Sequence, residues 1–236
     1  MHLKKGPMKS SKFLFALTAF AIAASSHAGT GPTPGPGSGP GPVLLSEGFD
    51  NISTLNSSGW EFVNLSTPVG NSWFQGNAGV FAAHSGADNS YIGANYLSSQ
   101  LGSGTVDNWL LSPVLTLSTQ SKLSFFARTE TAGFTDKLEV RFVSGNSNDV
   151  AQYTTLVTTV GANGDFPDAG FTNFVANLPV TGAGRFAFRY TSDAATANYI
   201  GIDTVNVTAV PEPSTYAMMG LGLAALALVR RKTKKA

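Results

Sequence analysis

Apolar and polar residues alternate in short runs through the middle of the chain. Across residues 122–128, Leu123, Phe125 and Ala127 fall on one face; Leu138, Val140 and Phe142 do so across 137–143, and Phe186, Phe188 and Tyr190 across 185–190. Side chains in an extended chain point to opposite sides at successive positions, so a period of two predicts strands with one buried face. Residues 144–149 and 161–165 are built from Gly, Ser, Asn and Asp, the composition of turns. No long 3.6-residue repeat interrupts this pattern. Many short strands separated by turns predict an all-β domain over residues 43–209, and an antiparallel β-sandwich is the architecture that buries one face of each sheet.

The two ends follow different patterns. Near the start, Lys9 and Lys12 precede an apolar run at 13–24, which is followed by small residues ending in Ser26, His27 and Ala28. Basic head, short apolar run and small-residue site make a secretory signal peptide over residues 1–28, to be cut by signal peptidase after Ala28. The run is shorter than the roughly 20 apolar residues that a membrane span needs. Residues 29–42 read GTGPTPGPGSGPGP and hold no apolar side chain larger than proline. Such a stretch cannot form a core, and it predicts a solvated Gly/Pro-rich linker.

Residues 210–236 carry Pro211-Glu212-Pro213, then Ser214 and Thr215, an apolar stretch at 216–229, and a cationic tail at 230–235. Two prolines end any preceding strand and leave an extended tripeptide. The apolar stretch predicts a short transmembrane helix, and the cationic tail would stay on the cytoplasmic side. At 1.5 Å per residue that helix spans only about 21 Å of a hydrocarbon core about 30 Å thick. Arg230 and Arg231 would therefore have to snorkel. This ending resembles the PEP-CTERM sorting signal of Gram-negative bacteria. The resemblance implies recognition and cleavage at Pro211, Glu212 and Pro213 by an exosortase. It also implies an inner-membrane precursor that matures into a cell-envelope, surface or extracellular-matrix protein, and an association with exopolysaccharide.

The formal net charge of +1 conceals a segregation. Between Leu44 and Ala209 six basic residues stand against thirteen acidic ones, a net charge of −7 for the domain. Phosphate binding needs clustered cations, so nucleic acid is excluded as a partner. Cysteine is absent, which removes disulfides and any Cys-ligated metal.

Within the domain, motifs follow in order: Ser46-Glu47-Gly48-Phe49-Asp50, Gly59-Trp60, Trp73, residues 81–85, residues 107–113, residues 123–128, Leu138-Glu139-Val140, residues 185–190 and Ile202-Asp203-Thr204-Val205. This order resembles the jelly-roll domains of the MAM, cleaved-adhesin and "choice-of-anchor J" group. Several members of that group hold a structural calcium. The resemblance implies Glu47, Asp50 and Asp203 as its ligands, with Asp88 and Asn89 as weaker candidates, since calcium takes six to eight oxygens. The group's usual adjacent acidic pair is here Asp203-Thr204.

Catalytic readings find little. His84 is the one histidine after the signal, and no Gly-x-Ser-x-Gly elbow is present to raise a nucleophile. Asp136 and Glu139 lie an odd number of residues apart on one strand, so they face opposite sides and cannot flank a sugar bond together. Trp60, Trp73, Trp109, Tyr91, Tyr96 and Tyr199 could stack on sugar rings if exposed. The expectation is a non-enzymatic adhesive or structural protein. A carbohydrate-binding module is the first alternative and a polysaccharide hydrolase the second. An exposed aromatic row would favour the module, and a carboxylate pair in a cleft the hydrolase.

Overall fold

The computed structural model describes residues 41–210 apart from 118, 180 and 181, together with residue 222. The signal peptide, most of the linker, the Pro211–Pro213 motif and the proposed helix at 216–229 lie outside the described residues. No helix among the described residues is long and apolar enough to cross a membrane.

Among the described residues, twelve strands make two antiparallel sheets of six. The first contains β1 (Val43–Glu47), β3 (Phe74–Gln75), β4 (Ile92–Asn95), β7 (Ser121–Thr129), β10 (Thr172–Leu178) and β12 (Tyr199–Ala209). Its order is β10-β7-β12-β4-β3, with β1 also paired to β12. The second contains β2 (Glu61–Asn64), β5 (Thr105–Leu111), β6 (Leu115–Leu117), β8 (Leu138–Ser144), β9 (Thr155–Val160) and β11 (Gly182–Asp193). Its order is β2-β5-β11-β8-β9, with β6 also paired to β11. Each sheet is thus organised on one long strand. One edge of β12 is shared between β4 and β1, and one edge of β11 between β5 and β6. This is a jelly-roll-like β-sandwich.

The alternation read from the sequence sets the core. Leu123, Phe125 and Ala127, then Leu138, Val140 and Phe142, then Phe186, Phe188 and Tyr190 all point inward and are buried. They meet Ile200, Ile202, Val205 and Val207 of β12 in one cluster. Each large apolar side chain removed from water stabilises by about 1.5–3 kcal/mol, and the edge-to-face rings of Phe125 and Phe188 add to that. The parity of β12 changes between Ile202 and Val205 because the pairing register shifts between Asp203 and Asn206. Thr204 sits in the bulge at φ +50°, a left-handed conformation that a β-branched residue rarely adopts.

The pairing gives the sandwich two distinct poles. Val43 pairs with Thr208, the Ala209 amide donates to the Pro42 carbonyl, and the Val210 amide donates to the Gln120 carbonyl. The described chain therefore enters and leaves at the same pole. The connections 130–137, 161–171 and 194–198 and the start of β5 lie at the other pole.

Candidate functional site

The outer faces of the two sheets are treated differently. On the first sheet, the segment 76–91 folds back over β4, β7 and β12. Gly201 makes this possible: a Cβ there would come within 2.9 Å of both Phe81 Cε2 and Tyr91 Cδ2. Phe81, Tyr91 and Tyr199 form a buried layer flanked by Phe74 and Phe171, and the Arg128 guanidinium lies 4.2 Å from the Phe81 ring centre. The Asn77 amide donates to Tyr91 Oη at 2.9 Å, and the two phenol oxygens are 3.0 Å apart. Burial and the Tyr199 hydrogen bond push the Tyr91 phenol well above its ordinary range, so it stays neutral and serves as a structural link.

Asp203 pins this layer. Its Oδ2 accepts from the His84 and Ser85 amides at 2.8 and 3.0 Å, and its Oδ1 accepts from the Thr204 amide at 2.5 Å and the Thr204 hydroxyl at 3.1 Å. Burial pushes its carboxyl above the ordinary aspartate value, against the opposing pull of those four donors. His84 stacks on Phe126 with ring centres 3.5 Å apart, and its Nδ1 lies 3.0 Å from Thr204 Oγ1. It is a packing residue.

The three carboxylates implied as calcium ligands come into one neighbourhood without converging. Glu47 and Asp50 border a cavity of about 220 Å³ shared with Ser85, Gly86 and Thr204. Glu47 Oε1 accepts from the Phe49 amide at 2.8 Å. Asp203 stands behind that cavity with both oxygens engaged by protein donors. Among the described residues no three Asp, Glu, His or Cys side chains gather where a metal ion could be held. As a three-carboxylate cage the set does not fit, because the strand bulge aims Asp203 at the 84–85 loop. Asp88 contributes its carbonyl to the Ala83 amide and Asn89 its carbonyl to Gln75 Nε2, so the backbone of both serves the covering segment.

The outer face of the second sheet carries a row of charge. Arg189 donates from Nε and Nη2 to the two Asp107 oxygens at 2.6 and 3.1 Å, and from Nη1 to Glu139 Oε2 at 3.3 Å. Arg141 Nε donates to the same Glu139 oxygen at 2.7 Å, and Lys137 Nζ lies 3.5 Å from Glu139 Oε1. Beneath the row, Arg189 lies 4.9 Å from the centre of the buried Trp109 ring, and Trp109 packs edge-on against Tyr153. Burial drives Glu139 upward, but the Arg141 hydrogen bond and the charges of Arg141, Arg189 and Lys137 outweigh it, so the carboxyl is held below its ordinary value. The Asp107 hydrogen bond raises the Arg189 guanidinium further still. Asp136 is on the opposite side, where it accepts from Tyr190, Thr129 and the Asn198 amide inside the sandwich. The sequence placed the two on one strand, but β8 begins at Leu138, and it is the connection before it that carries Asp136 into the interior.

Two cavities flank the charged row. One of about 310 Å³ is bordered by Asp107, Trp109, Arg141, Tyr153, Thr154 and Arg189. The other, of about 770 Å³, lies at the pole away from both described chain ends and is bordered by Thr105, Thr135, Lys137, Thr191, Asp193 and the 161–164 turn. Of the aromatic candidates only Trp109 borders either cavity. Trp60 and Trp73 belong to the core, Tyr91 and Tyr199 to the closed layer, and Trp109 lies under Arg189. Only Tyr96 of the six is exposed, at 41%. Among the described residues the six form no exposed aromatic row, because the other five are consumed in packing. The charged row was missed in the sequence, although its signal was there: Lys137, Glu139 and Arg141 alternate on one face, and so do Arg185 and Arg189.

Residues 209–232 match the PEP-CTERM protein-sorting motif. This is an exported, cell-surface-directed protein. The motif begins on the last residue of β12, so the sorting segment continues directly from the long strand of the first sheet. The domain shares its fold with cleaved adhesin domains of Lys-gingipain from Porphyromonas gingivalis W83. The K1 domain is 24% identical with a TM-score of 0.53, over 70% of this chain and 98% of that domain. The K3 domain is 22% identical with a TM-score of 0.56, over 71% and 98%. No curated protein sequence matches the chain.

Proposed function

We propose that the protein is delivered to the cell surface or extracellular matrix, cut by an exosortase near Pro211 to Pro213, and acts there through adhesion and not catalysis. The observation that carries this reading is the sorting motif that follows β12 without a break. The chemistry of the open face supports it. A glycoside-cleaving acid needs a raised pKa, whereas Glu139 is held low, and the two carboxylates of the row are ion-paired, Asp107 with Arg189 and Glu139 with Arg141, Arg189 and Lys137. Calcium enters this proposal in a narrower form, held by Glu47 and Asp50 with loop oxygens while Asp203 positions the loop behind them.

Intact-mass measurement on protein from the native host, with and without its exosortase, tests the proposal. The expected mature species starts at Gly29 and ends within 211–213 only when the enzyme is present. A mass that retains residues 230–236 in both strains would overturn it.

A further inference from the structure

We propose that the outer face of the second sheet binds an uncharged polysaccharide chain, laid from the polar cavity at the far pole across the Asp107–Arg189–Glu139 row to the cavity beside Tyr153. This deepens the adhesive reading above and rests on it. The two cavities lie on one continuous surface. Thr105, Asp107 and Trp109 are successive outward positions of β5, and Arg189 pairs with Trp109 on one side and Glu139 on the other. Thr105 to Trp109 covers about 13 Å at roughly 3.3 Å per residue, so a linear ligand can engage both ends at once.

The lining offers what sugar hydroxyls need, donors and acceptors in alternation. Thr105 and Thr191 present hydroxyls at the far cavity, where those of Thr135 and Ser192 already bond one another, and Asp107, Arg141 and Arg189 present a fixed carboxylate and guanidiniums at the near one. The polar row is already locked by its own ion pairs, so little side-chain freedom is lost on binding. Charge selects the class of ligand. Lys137, Arg141 and Arg189 are balanced by Asp107, Glu139 and Asp193 on this surface, while the whole domain is strongly acidic. An anionic chain would be repelled at long range and would find no excess of cations on contact. The far cavity also opens at the pole opposite both described chain ends, which leaves it accessible in a protein attached through its terminus.

The full-length chain on an array of neutral and uronic-acid oligosaccharides tests this. Binding to neutral chains is expected. Asn163→Trp, which fills the far cavity, and Thr154→Trp, which fills the near one, should each weaken it at least tenfold. Both positions are exposed, and Val175→Trp on the exposed side of β10 should leave binding unchanged. Binding confined to uronic-acid chains, no binding to any neutral chain, or tight binding retained in both cavity variants would overturn the inference. The two proposals fail separately: a silent array with normal tail cleavage removes only the polysaccharide site, and an uncut tail with neutral-chain binding removes only the sorting reading.

Discussion

The two outer faces of the sandwich meet water in opposite ways. The first sheet is roofed by residues 76–91, and the polar group that does the fastening, Asp203, is fully buried with four donors around it. The second sheet is covered only in part: Val150 and Tyr153 close over Trp109, Leu111, Val143 and Ala187, and the Asp107–Arg189–Glu139 row lies beside that cluster. Its polar groups are partly solvated and fasten one another in a row. A buried carboxylate surrounded by backbone amides belongs to folding, because leaving those amides without an acceptor is costly. In the row Glu139 is buried and its partners are only partly exposed, so the pairs contribute modestly to stability and the outer atoms of the row stay available to a ligand. The contrast assigns stability to the first face and leaves the second as the one proposed for recognition.

The largest expected effect comes from Asp203→Ala. It leaves the His84, Ser85 and Thr204 amides without their acceptor, and chemical denaturation should show a loss of about 3–5 kcal/mol. A loss below about 1 kcal/mol would mean that the roof is not fastened there. Gly201→Val comes next. Its side chain would collide with Phe81 and Tyr91, so the same experiment should read a loss of about 1–3 kcal/mol, together with faster proteolysis in the 76–91 segment.

On the open face the effects should be smaller and dependent on pH. Glu139 has a folded pKa below its unfolded one, so its ion pairs stabilise the fold above the ordinary glutamate value of about 4.3, and that stability is lost as pH falls through the lower folded value. Glu139→Gln should therefore cost about 1 kcal/mol at pH 7, and the difference from the parent should shrink in acid. Asp203 has the opposite sign. Its raised folded pKa means that lowering pH from the raised value toward the ordinary one relieves a burden. A Glu139→Gln difference that stays constant from pH 7 down to pH 3 would remove the row from the ionic account.

The smallest expected effect is that of calcium. If Glu47 and Asp50 hold it with loop oxygens, millimolar calcium after chelation should raise the melting temperature by about 2–4 °C through ligand linkage. Glu47→Gln should abolish the rise, whereas a rise that persists in Glu47→Gln would place the ion elsewhere.

Alternation identified the inward faces of β7, β8 and β11 residue by residue, since an extended chain leaves each side chain only two directions to point. The separation of Asp136 from Glu139 was expected from the same rule, but Asp136 precedes β8 and is turned inward by the connection that holds it. Alternation did not distinguish which outward faces stay open. In sequence Tyr91 and Tyr199 are as available for stacking as Tyr96; in the fold segment 76–91 brings Phe81 and Tyr91 down onto Tyr199 and buries all three rings. Asp203, met in sequence as a metal ligand, is turned toward loop amides by the Thr204 bulge, which local pattern does not announce.

By itself, then, the sequence determined the β architecture, the acidic character of the domain and the sorting tail, because strand periodicity, charge and a short linear motif are all written in neighbouring residues. Only the tertiary structure decided that one face closes and the other presents Asp107, Glu139, Arg141 and Arg189 as a row. These residues come from three strands separated by up to 82 positions, and their proximity exists only once β5, β11 and β8 have paired.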